Sequence, residues 1–335
     1  MKAVLARRHG PPETLAVEDL PPLVAGPGQV VVSVHASAVN FPDTLIIEDK
    51  YQLKPPLPFS PGGEVAGTVK EVGAGVTGFA LGQPVIAACR WGGFAEEVLT
   101  TPDRLVAIPP GVSMEAAASL LITYGTTQYA LQERAHIQRG ETLLVLGAAG
   151  GTGLSAIELG TLMGARVIAA ASTDEKLALC RERGADETIN YASQDLREQL
   201  KALTGGRGVD VVYDPVGGDY AEPALRAMAW GGRYLVIGFT AGIARLPMNL
   251  PLLKGCSIVG VFYGQFGKAQ PQRYEALRAE LVGWLAEGRI RPTITARYPL
   301  EEAARALRQV ADRKVLGKIV LTTALGRQGV QEAGR

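Results

Sequence analysis

The stretch LVLGAAGGTGLSAIELGTLMGARVIAAASTDEK, residues 144–176, gives the clearest indication of the fold. An apolar run leads into a glycine-rich loop, then a segment of helical character and, about 20 residues further on, a second apolar run. A glycine-rich turn lets the backbone approach a pyrophosphate, and the N-terminus of the following helix presents free N–H groups to the phosphates. This order of elements predicts a dinucleotide-binding unit.

Five consecutive residues of the loop are predicted to contact the dinucleotide. Gly150 lets the backbone come close to the pyrophosphate, and Gly153 lets the helix lie close to the strand before it. The alternative is a glycine turn that only packs and binds nothing. The predicted cofactor-binding residues of the loop are Ala149, Gly150, Gly151, Thr152 and Gly153.

The end of the second apolar run lacks the acidic residue that holds the ribose hydroxyls in the NAD-type pattern. Ala171 stands at about that position, and Ser172, Thr173 and Lys176 follow it. A carboxylate there would repel a 2′-phosphate, whereas hydroxyls and an ammonium can donate hydrogen bonds to it. The segment therefore predicts NADPH as the cofactor; the alternative is that Lys176 is an ordinary solvated helix residue.

The whole chain has three parts with different patterns. Before about residue 122, short β-like runs separated by turn residues predict a small antiparallel barrel or sandwich. Strand-like and amphipathic segments then alternate, which predicts a doubly wound parallel sheet and an α/β fold class. From about residue 268, two amphipathic helices and a strand are expected to return to the first domain. The predicted domains are 1–121, 122–267 and 268–335, and the predicted strands of the second domain are Thr142–Leu146, Val167–Ala170, Glu187–Ile189, Val209–Tyr213, Arg233–Ile237 and Ser257–Val261.

Composition and charge narrow the function classes. The 335 residues are 47% hydrophobic and carry a formal net charge of +1, with acidic and basic residues interleaved. This argues against a nucleic acid or an anionic membrane as the partner. The N-terminus has no signal-peptide core, and no uninterrupted apolar run could span a bilayer, so a cytoplasmic protein is expected. Three scattered cysteines predict neither a disulfide framework nor a metal-binding pair.

Six motifs occur in the order AVNFPDTLI, SPGGEVAGTVKEVG, LGAAGGTGLSAIELG, LCRERGADETINY, GGRYLVIGFTAG and GKIVL. With them the chain resembles the medium-chain dehydrogenase/reductase superfamily, and within it the zinc-free quinone oxidoreductase branch, which includes zeta-crystallin-like proteins. The resemblance covers nearly the whole chain. It implies a GroES-like, β-rich catalytic domain, a Rossmann domain that binds NADPH, and an NADPH:quinone oxidoreductase activity of the EC 1.6.5 type.

The resemblance also bears on zinc. Zinc-dependent relatives place a cysteine where Asn40 stands and a histidine where Gly63 precedes Glu64. The cysteine-rich structural lobe of those relatives is missing as well. Because catalytic zinc needs about three protein ligands, no metal site is predicted, and Glu64 is expected to be a structural carboxylate.

Further cofactor contacts are implied by the resemblance, position by position. Tyr191 resembles the tyrosine that lies against the adenosine phosphate, and Asn40 and Thr126 resemble residues near the nicotinamide. Two segments follow the fifth and sixth predicted strands, where the distal end of the cofactor should run. Their residues are Ile237, Gly238, Phe239, Val261, Phe262 and Tyr263.

Three residues are the candidates for catalysis. The Asn40 amide and the Tyr51 hydroxyl are predicted to donate to an acceptor oxygen that gains negative charge as hydride arrives. Asp43 is expected to stabilise its loop, with a proton relay as the alternative. Leu45 replaces a tyrosine of the family, which makes the predicted pocket more apolar.

Three functions remain open at this point. The first is reduction of small quinones or other conjugated carbonyl compounds by NADPH. The second is reduction of a 2-enoyl thioester, for which Lys50 and Lys54 could meet the phosphates of a carrier. The third is NADPH binding with little turnover. A homodimer is expected in each case, because CSIVGVF is an apolar strand that should lie at a sheet edge.

Overall fold

The computed structural model describes residues 1–327 of the chain. These residues form two compact units: unit 1 comprises Met1–Ile122 and the residues from Arg291 onward, and unit 2 comprises Thr123–Ile290. The chain therefore leaves unit 2 at residue 290 and not at 268, where the sequence analysis placed the boundary. The reason is the helix over Pro271–Ala286, which packs on helices of unit 2. The last eight residues of the predicted segment 268–335 lie outside the described residues.

Within residues 1–327 the strands are β1 (Lys2–Leu5), β2 (Ala16–Asp19), β3 (Val30–Val39), β4 (Glu64–Val72), β5 (Pro84–Ala88), β6 (Glu97–Thr100), β7 (Leu105–Ala107), β8 (Thr142–Leu146), β9 (Arg166–Ala171), β10 (Glu187–Asn190), β11 (Val209–Asp214), β12 (Met228–Val236), β13 (Ser257–Gly260), β14 (Ile294–Pro299) and β15 (Lys318–Thr322). The α-helices are α1 (Phe41–Ile47), α2 (Met114–Ala118), α3 (Thr123–Gln128), α4 (Gly151–Leu162), α5 (Asp174–Glu182), α6 (Leu196–Leu203), α7 (Ala221–Arg226), α8 (Asn249–Lys254), α9 (Tyr263–Ala269), α10 (Pro271–Ala286) and α11 (Ala303–Ala311). None of these helices is both long and apolar enough to cross a membrane.

Unit 1 contains a two-stranded antiparallel sheet of β1 and β2 and a larger, seven-stranded sheet. The larger sheet has the order β14-β15-β3-β4-β5-β7, and β6 pairs with β3. All of its pairings are antiparallel except that of β14 with β15. The β-branched run of β3 suits a central strand, and its valines are buried. The predicted return of the C-terminal strand is confirmed, because Ile319 of β15 lies opposite Val39 of β3.

Unit 2 contains a parallel sheet with the order β10-β9-β8-β11-β12-β13. All six strands predicted from the sequence are present, and β8 has the predicted bounds. The strand order reverses between β8 and β11, and ligands of such sheets bind outside the carboxyl ends of the strands at this point. The glycine loop directly follows β8, so the topology places the predicted dinucleotide site at that edge.

Strand β12 begins earlier than predicted. Met228 already pairs with Val209, and the register then shifts before Arg233 pairs with Val211. Gly231 adopts a φ of 74° inside this irregular stretch, a conformation that favours glycine. The sequence WGG resembles a turn for that reason, although the chain continues as a strand.

Candidate active site

The glycine loop contains two glycines with different structural needs. A Cβ atom placed on Gly153 would lie 2.5 Å from the backbone oxygens of both Gly147 and Ala148. A Cβ on Gly150 would meet only the Gly147 oxygen, at 3.5 Å, which is an ordinary contact. Packing therefore requires glycine at position 153, whereas the space beside Gly150 is open within unit 2.

Helix α4 starts directly at this loop. Gly150 is its N-cap residue, and its oxygen accepts the first helical hydrogen bond, from Leu154 N, at 2.8 Å. A glycine cap brings no side-chain oxygen to the N–H groups of the first turn, which belongs to Gly151, Thr152 and Gly153. This turn carries the positive end of the helix dipole, which favours an anionic ligand.

The end of β9 brings the predicted phosphate-binding residues together. Ala171 is buried at the last position of the strand, and Thr173 is the N-cap of α5, where its hydroxyl accepts from Lys176 N at 3.3 Å. The Lys176 ammonium donates to the Ser172 hydroxyl at 3.2 Å. A small apolar residue therefore stands where the NAD-type pattern has an acidic one, and hydroxyls and a positive charge follow it directly.

Tyr191 lies beside this group. Its backbone N–H donates to the Ala171 oxygen at 3.1 Å, and its ring packs on Tyr220 with centroids 4.3 Å apart. The neighbouring Asn190 amide donates to the Asp174 carboxylate at 2.9 Å. The sequence analysis did not predict that Asn190, Asp174 and Tyr220 belong to this group of side chains. Their contacts join residues of different elements, and the sequence carries no local signal for such contacts.

Asp214, at the carboxyl end of β11, is a buried residue that the sequence analysis did not single out. Its Oδ1 accepts from the backbone N–H groups of Val216 and Gly217, at 2.7 and 2.8 Å, and Oδ2 accepts from the Tyr234 hydroxyl. Burial raises the pKa of Asp214, and these hydrogen bonds oppose that shift. The signal in the sequence was an acidic residue directly after an apolar strand, in VVYDPVGG.

The segment after β12 is tied to the same residue. The N–H groups of Ile237 and Gly238 donate to the backbone oxygen of Asp214, at 3.0 and 3.2 Å. Phe239 is exposed next to them. The structure thus holds the predicted segment 237–239 at the carboxyl edge of the sheet, and its contact with the cofactor stays a prediction.

The three residues after β13 lie in different environments. Val261 N donates to the Val236 oxygen at 3.1 Å, and the Phe262 side chain is exposed. Tyr263 begins α9 and packs in an aromatic cluster, with its ring centroid 5.2 Å from that of Tyr274 and 6.2 Å from that of Tyr129. These contacts give Tyr263 a packing role within unit 2, and its predicted contact with the cofactor is untested.

Thr126 lies half-buried on α3, next to a buried hydroxyl network. The Thr127 hydroxyl is 2.7 Å from the Ser155 hydroxyl and 2.9 Å from the Tyr213 hydroxyl. The Ser155 hydroxyl also donates to the Thr152 oxygen at 2.9 Å, in the first turn of α4. The network therefore joins α3, α4 and β11 directly below the glycine loop.

In unit 1, Asn40 and Asp43 form one hydrogen-bonded group. Both are buried at the start of α1, and the Asp43 carboxylate accepts from Asn40 N at 2.8 Å. The Asn40 Oδ1 accepts from the Lys318 ammonium at 2.6 Å, and Nδ2 donates to the Ala38 oxygen at 3.3 Å. Burial raises the pKa of Asp43 to about 6, against the hydrogen bond from Asn40 and the charge of Lys318.

Glu64 and Lys318 complete this buried group. The Glu64 Oε1 accepts from the backbone N–H groups of Leu121 and of Ile122, the latter at 3.1 Å. Its Oε2 has no hydrogen-bond partner among the described residues. Burial raises the pKa of Glu64, and the positive charge of Lys318 opposes the shift. Sequence reasoning overlooked Lys318, whose only signal was a lysine at the start of the buried strand KIVLT.

Tyr51 lies half-buried in the same unit, against a cluster that includes Ile46, Ile47 and Phe59. Burial raises the pKa of its hydroxyl, and the charge of Asp43 raises it further. Tyr51 therefore stays a neutral hydrogen-bond donor in the neutral pH range. Leu45 is also half-buried.

Within residues 1–327, no three histidine, cysteine, aspartate or glutamate side chains are grouped as a metal site. Cys89 is buried, and its thiol contacts the Gly62 oxygen at 3.5 Å. Burial raises the pKa of this thiol to about 12, so it is not a thiolate at neutral pH.

Comparisons with known proteins agree with this architecture of a GroES-like unit and a Rossmann-type unit. The family model for the alcohol dehydrogenase GroES-like domain matches residues 26–110, and the zinc-binding dehydrogenase model matches residues 151–282. Quinone oxidoreductase-like protein 2 of Rattus norvegicus is 40% identical over 312 residues, which cover 92% of this chain and 89% of that protein.

Two further relatives carry the name quinone oxidoreductase. The protein of Pseudomonas aeruginosa is 35% identical over 96% of this chain and 99% of its own length. The crystal structure of Escherichia coli quinone oxidoreductase complexed with NADPH superposes with a TM-score of 0.89 at 29% identity, covering 96% of this chain and 100% of that one. The fold and these relatives define an oxidoreductase. The chain belongs to the quinone oxidoreductase family of the medium-chain dehydrogenase/reductase superfamily.

Proposed function

We propose that this protein is an NADPH-dependent, zinc-independent reductase of quinones or related conjugated carbonyl compounds. The observation that carries the proposal is the group at the end of β9, where Ala171 stands in place of an acidic residue and the Lys176 ammonium and the Ser172 hydroxyl lie together just after it. A structural relative with NADPH bound, the quinone oxidoreductase of Escherichia coli, supports it.

The residues of unit 2 fit this cofactor. The open space beside Gly150 and the first turn of α4 suit a pyrophosphate, and the Ser172 hydroxyl and the Lys176 ammonium suit a 2′-phosphate. Tyr191 packs beside them and would lie against the adenosine. When bound, NADPH supplies the hydride for the reduction.

The residues of unit 1 supply neutral donors for the acceptor. One N–H of the Asn40 amide is bonded to Ala38, which leaves a second N–H to donate, and the Tyr51 hydroxyl stays protonated. Donors aimed at an oxygen that gains negative charge stabilise the transition state. Asp43 fixes the Asn40 backbone, and its raised pKa also permits it to hold a proton near neutral pH.

The proposal assigns no zinc to the reaction. Asn40 and Gly63 occupy positions where zinc-dependent relatives carry ligands, and conjugated acceptors spread the developing charge without a Lewis acid. Elemental analysis of active protein should find no stoichiometric zinc, and a chelator should leave the rate unchanged. One zinc per chain, lost together with activity, would overturn this part of the proposal.

One observation favours enoyl thioesters as the alternative substrate class. Leu45 replaces a tyrosine of the family and leaves an apolar surface. However, Lys50 and Lys54, which could bind a carrier's phosphates, already pair with Glu48 and Asp49. NADPH oxidation with a panel of quinones, enones and enoyl thioesters separates these classes. Tight NADPH binding without turnover of any acceptor would instead indicate a binding protein.

The cofactor assignment has a direct test in Lys176→Ala. A hydrogen bond to a charged group contributes about 1.5–3 kcal/mol, so the variant should bind NADPH roughly tenfold to a hundredfold more weakly and NADH almost unchanged. Lys201→Ala, an exposed lysine on α6, is the matched control and should change neither. Equal losses for both cofactors, or tighter binding of NADH by the parent, would refute the assignment.

The proposal includes a homodimer. β13 is an edge strand of the unit 2 sheet and has one strand neighbour, β12, among the described residues. Ile258 on this strand and Leu252 and Leu253 on the preceding helix are exposed. An exposed apolar edge can pair with the same strand of a second chain.

A further inference from the structure

Lys318 is a buried lysine whose ammonium donates to a neutral side-chain amide, that of Asn40. It lies at the start of β15, next to the end of β3, and its Nζ donates to the Asn40 Oδ1 at 2.6 Å and to the Val39 oxygen at 3.3 Å. Only 4% of Lys318 is exposed, and lysine is almost never buried to this degree without a charged partner. An ammonium buried to this degree therefore needs compensating groups around it.

The chemistry of an ammonium decides how the Asn40 amide is oriented. An ammonium has donors only, whereas an amide has an acceptor side and a donor side. The oxygen of Asn40 must therefore face Lys318, and Nδ2 must face away from it. One N–H of Nδ2 donates to the Ala38 oxygen, and the planar amide group then fixes the direction of the second N–H.

We propose that Lys318 is a positioning residue, which holds the Asn40 amide so that Nδ2 donates to the oxygen of the acceptor. The inference rests on the proposed reductase function. Without the ammonium, the Asn40 amide could rotate and present its oxygen, which would repel the negative charge that develops on the acceptor.

Two carboxylates explain how a charged lysine persists in this place. Glu64 at the start of β4 and Asp43 on α1 carry the negative charges that favour the charged form of Lys318. Burial lowers the pKa of Lys318, and the negative charges of Glu64 and Asp43 oppose that shift. The positive charge of Lys318 also stabilises the ionised form of Glu64, whose Oε2 accepts no hydrogen bond among the described residues. An uncompensated buried charge would be strongly destabilising.

Kinetics test the functional half of the inference. Lys318→Met should lower kcat with the preferred acceptor by about tenfold or more and leave the KM for NADPH within about twofold, since a misdirected donor affects the transition state. Lys318→Arg keeps the donors and the charge and should retain most of kcat. Lys314→Met, at an exposed lysine just before β15, is the matched control and should behave as the parent.

A double-mutant cycle separates positioning from general stability. If Lys318 acts through Asn40, then Lys318→Met should lower kcat no further in the Asn40→Ala background. Additive losses of kcat would contradict the inference. If Lys318→Met does not fold, Lys318→Arg decides: a folded arginine variant whose kcat is as low as that of Asn40→Ala would also contradict it.

Nuclear magnetic resonance tests the same contact without turnover. The chain has three asparagines, Asn40, Asn190 and Asn249, so ¹⁵N-asparagine labelling yields three side-chain amides. Asn40→Asp identifies the Asn40 pair by its loss. Lys318→Met should shift or broaden that pair and leave the other two, and Lys318→Arg should largely preserve it.

The experiments distinguish a failure of the proposed reductase function from a failure of the inference about Lys318. A parent protein that reduces no acceptor refutes the proposed function, and the amide signals still decide whether Lys318 holds Asn40. An active parent whose Asn40 signals are unchanged by Lys318→Met refutes the inference alone.

Discussion

Substitutions at the two glycines of the glycine loop, Gly150 and Gly153, should affect protein stability and NADPH binding separately. In Gly153→Ala, the new Cβ would lie 2.5 Å from two backbone oxygens, so α4 must move away from the turn after β8. Overpacking of this kind costs about 1–3 kcal/mol. In Gly150→Ala, the Cβ meets one oxygen at 3.5 Å, and the φ of −78° suits alanine. Its unfolding free energy should therefore stay within about 0.5 kcal/mol of the parent value.

NADPH binding should respond differently. The methyl group of Gly150→Ala would occupy the space proposed for the pyrophosphate, and a clash of about 1–3 kcal/mol weakens binding roughly fivefold to 150-fold. Urea titrations followed by circular dichroism give the unfolding of each variant, and NADPH fluorescence titrations give the Kd. A Gly150→Ala protein that is stable and binds NADPH like the parent would refute the placement of the pyrophosphate. A Gly153→Ala protein as stable as the parent would refute the packing argument.

Three further predictions concern stability and assembly. Burial raises the folded-state pKa of Asp43 from 3.8 to about 6, so Asp43 by itself should lower the unfolding free energy by about 3 kcal/mol as pH rises through that window. Asp43→Asn removes this contribution, so in urea titrations at stepped pH the parent should lose that amount relative to the variant; a constant difference between the two would contradict this. Thr127→Val removes the hydroxyl that contacts Ser155 and Tyr213 and should cost about 1–3 kcal/mol in the same assay, whereas a neutral effect would show that the network is dispensable. Ile258→Glu places a charge on the exposed edge strand and should convert a dimer into a monomer in light scattering; a monomeric parent at micromolar concentration would refute the dimer.

Much of unit 2 could be predicted from the sequence because its signals are local. Apolar runs buried on both faces of a parallel sheet read as strands without any knowledge of their neighbours. The small residues of the glycine loop and the missing acid after β9 are also properties of short stretches. The grouping of Ser172 and Lys176 could therefore be expected, since both lie within one turn of the same helix start.

The ends of elements and domains were harder to predict. Strand β12 begins at Met228 although WGG resembles a turn, because pairing with β11 holds an irregular stretch in the sheet. Helix α10 was assigned to the return segment, but the Gln128 amide on α3 donates to Glu280 at 2.8 Å and helps to hold the helix on unit 2. An amphipathic pattern shows that a helix has an apolar face and does not show which surface covers that face.

The sequence alone was enough to predict the class of fold, which is confirmed, and to propose a glycine loop for the dinucleotide and the candidate residues Asn40, Asp43 and Tyr51, whose roles stay predictions. Only the tertiary structure showed that the Lys318 ammonium donates to the Asn40 amide oxygen, 278 positions away in the chain. The pairing of β15 with β3 brings these residues together, and Glu64 and Asp43 make a buried positive charge tolerable there. Hydrophobic periodicity records which face of a strand is buried, whereas the balance of buried charges depends on neighbours that the fold brings from distant parts of the sequence.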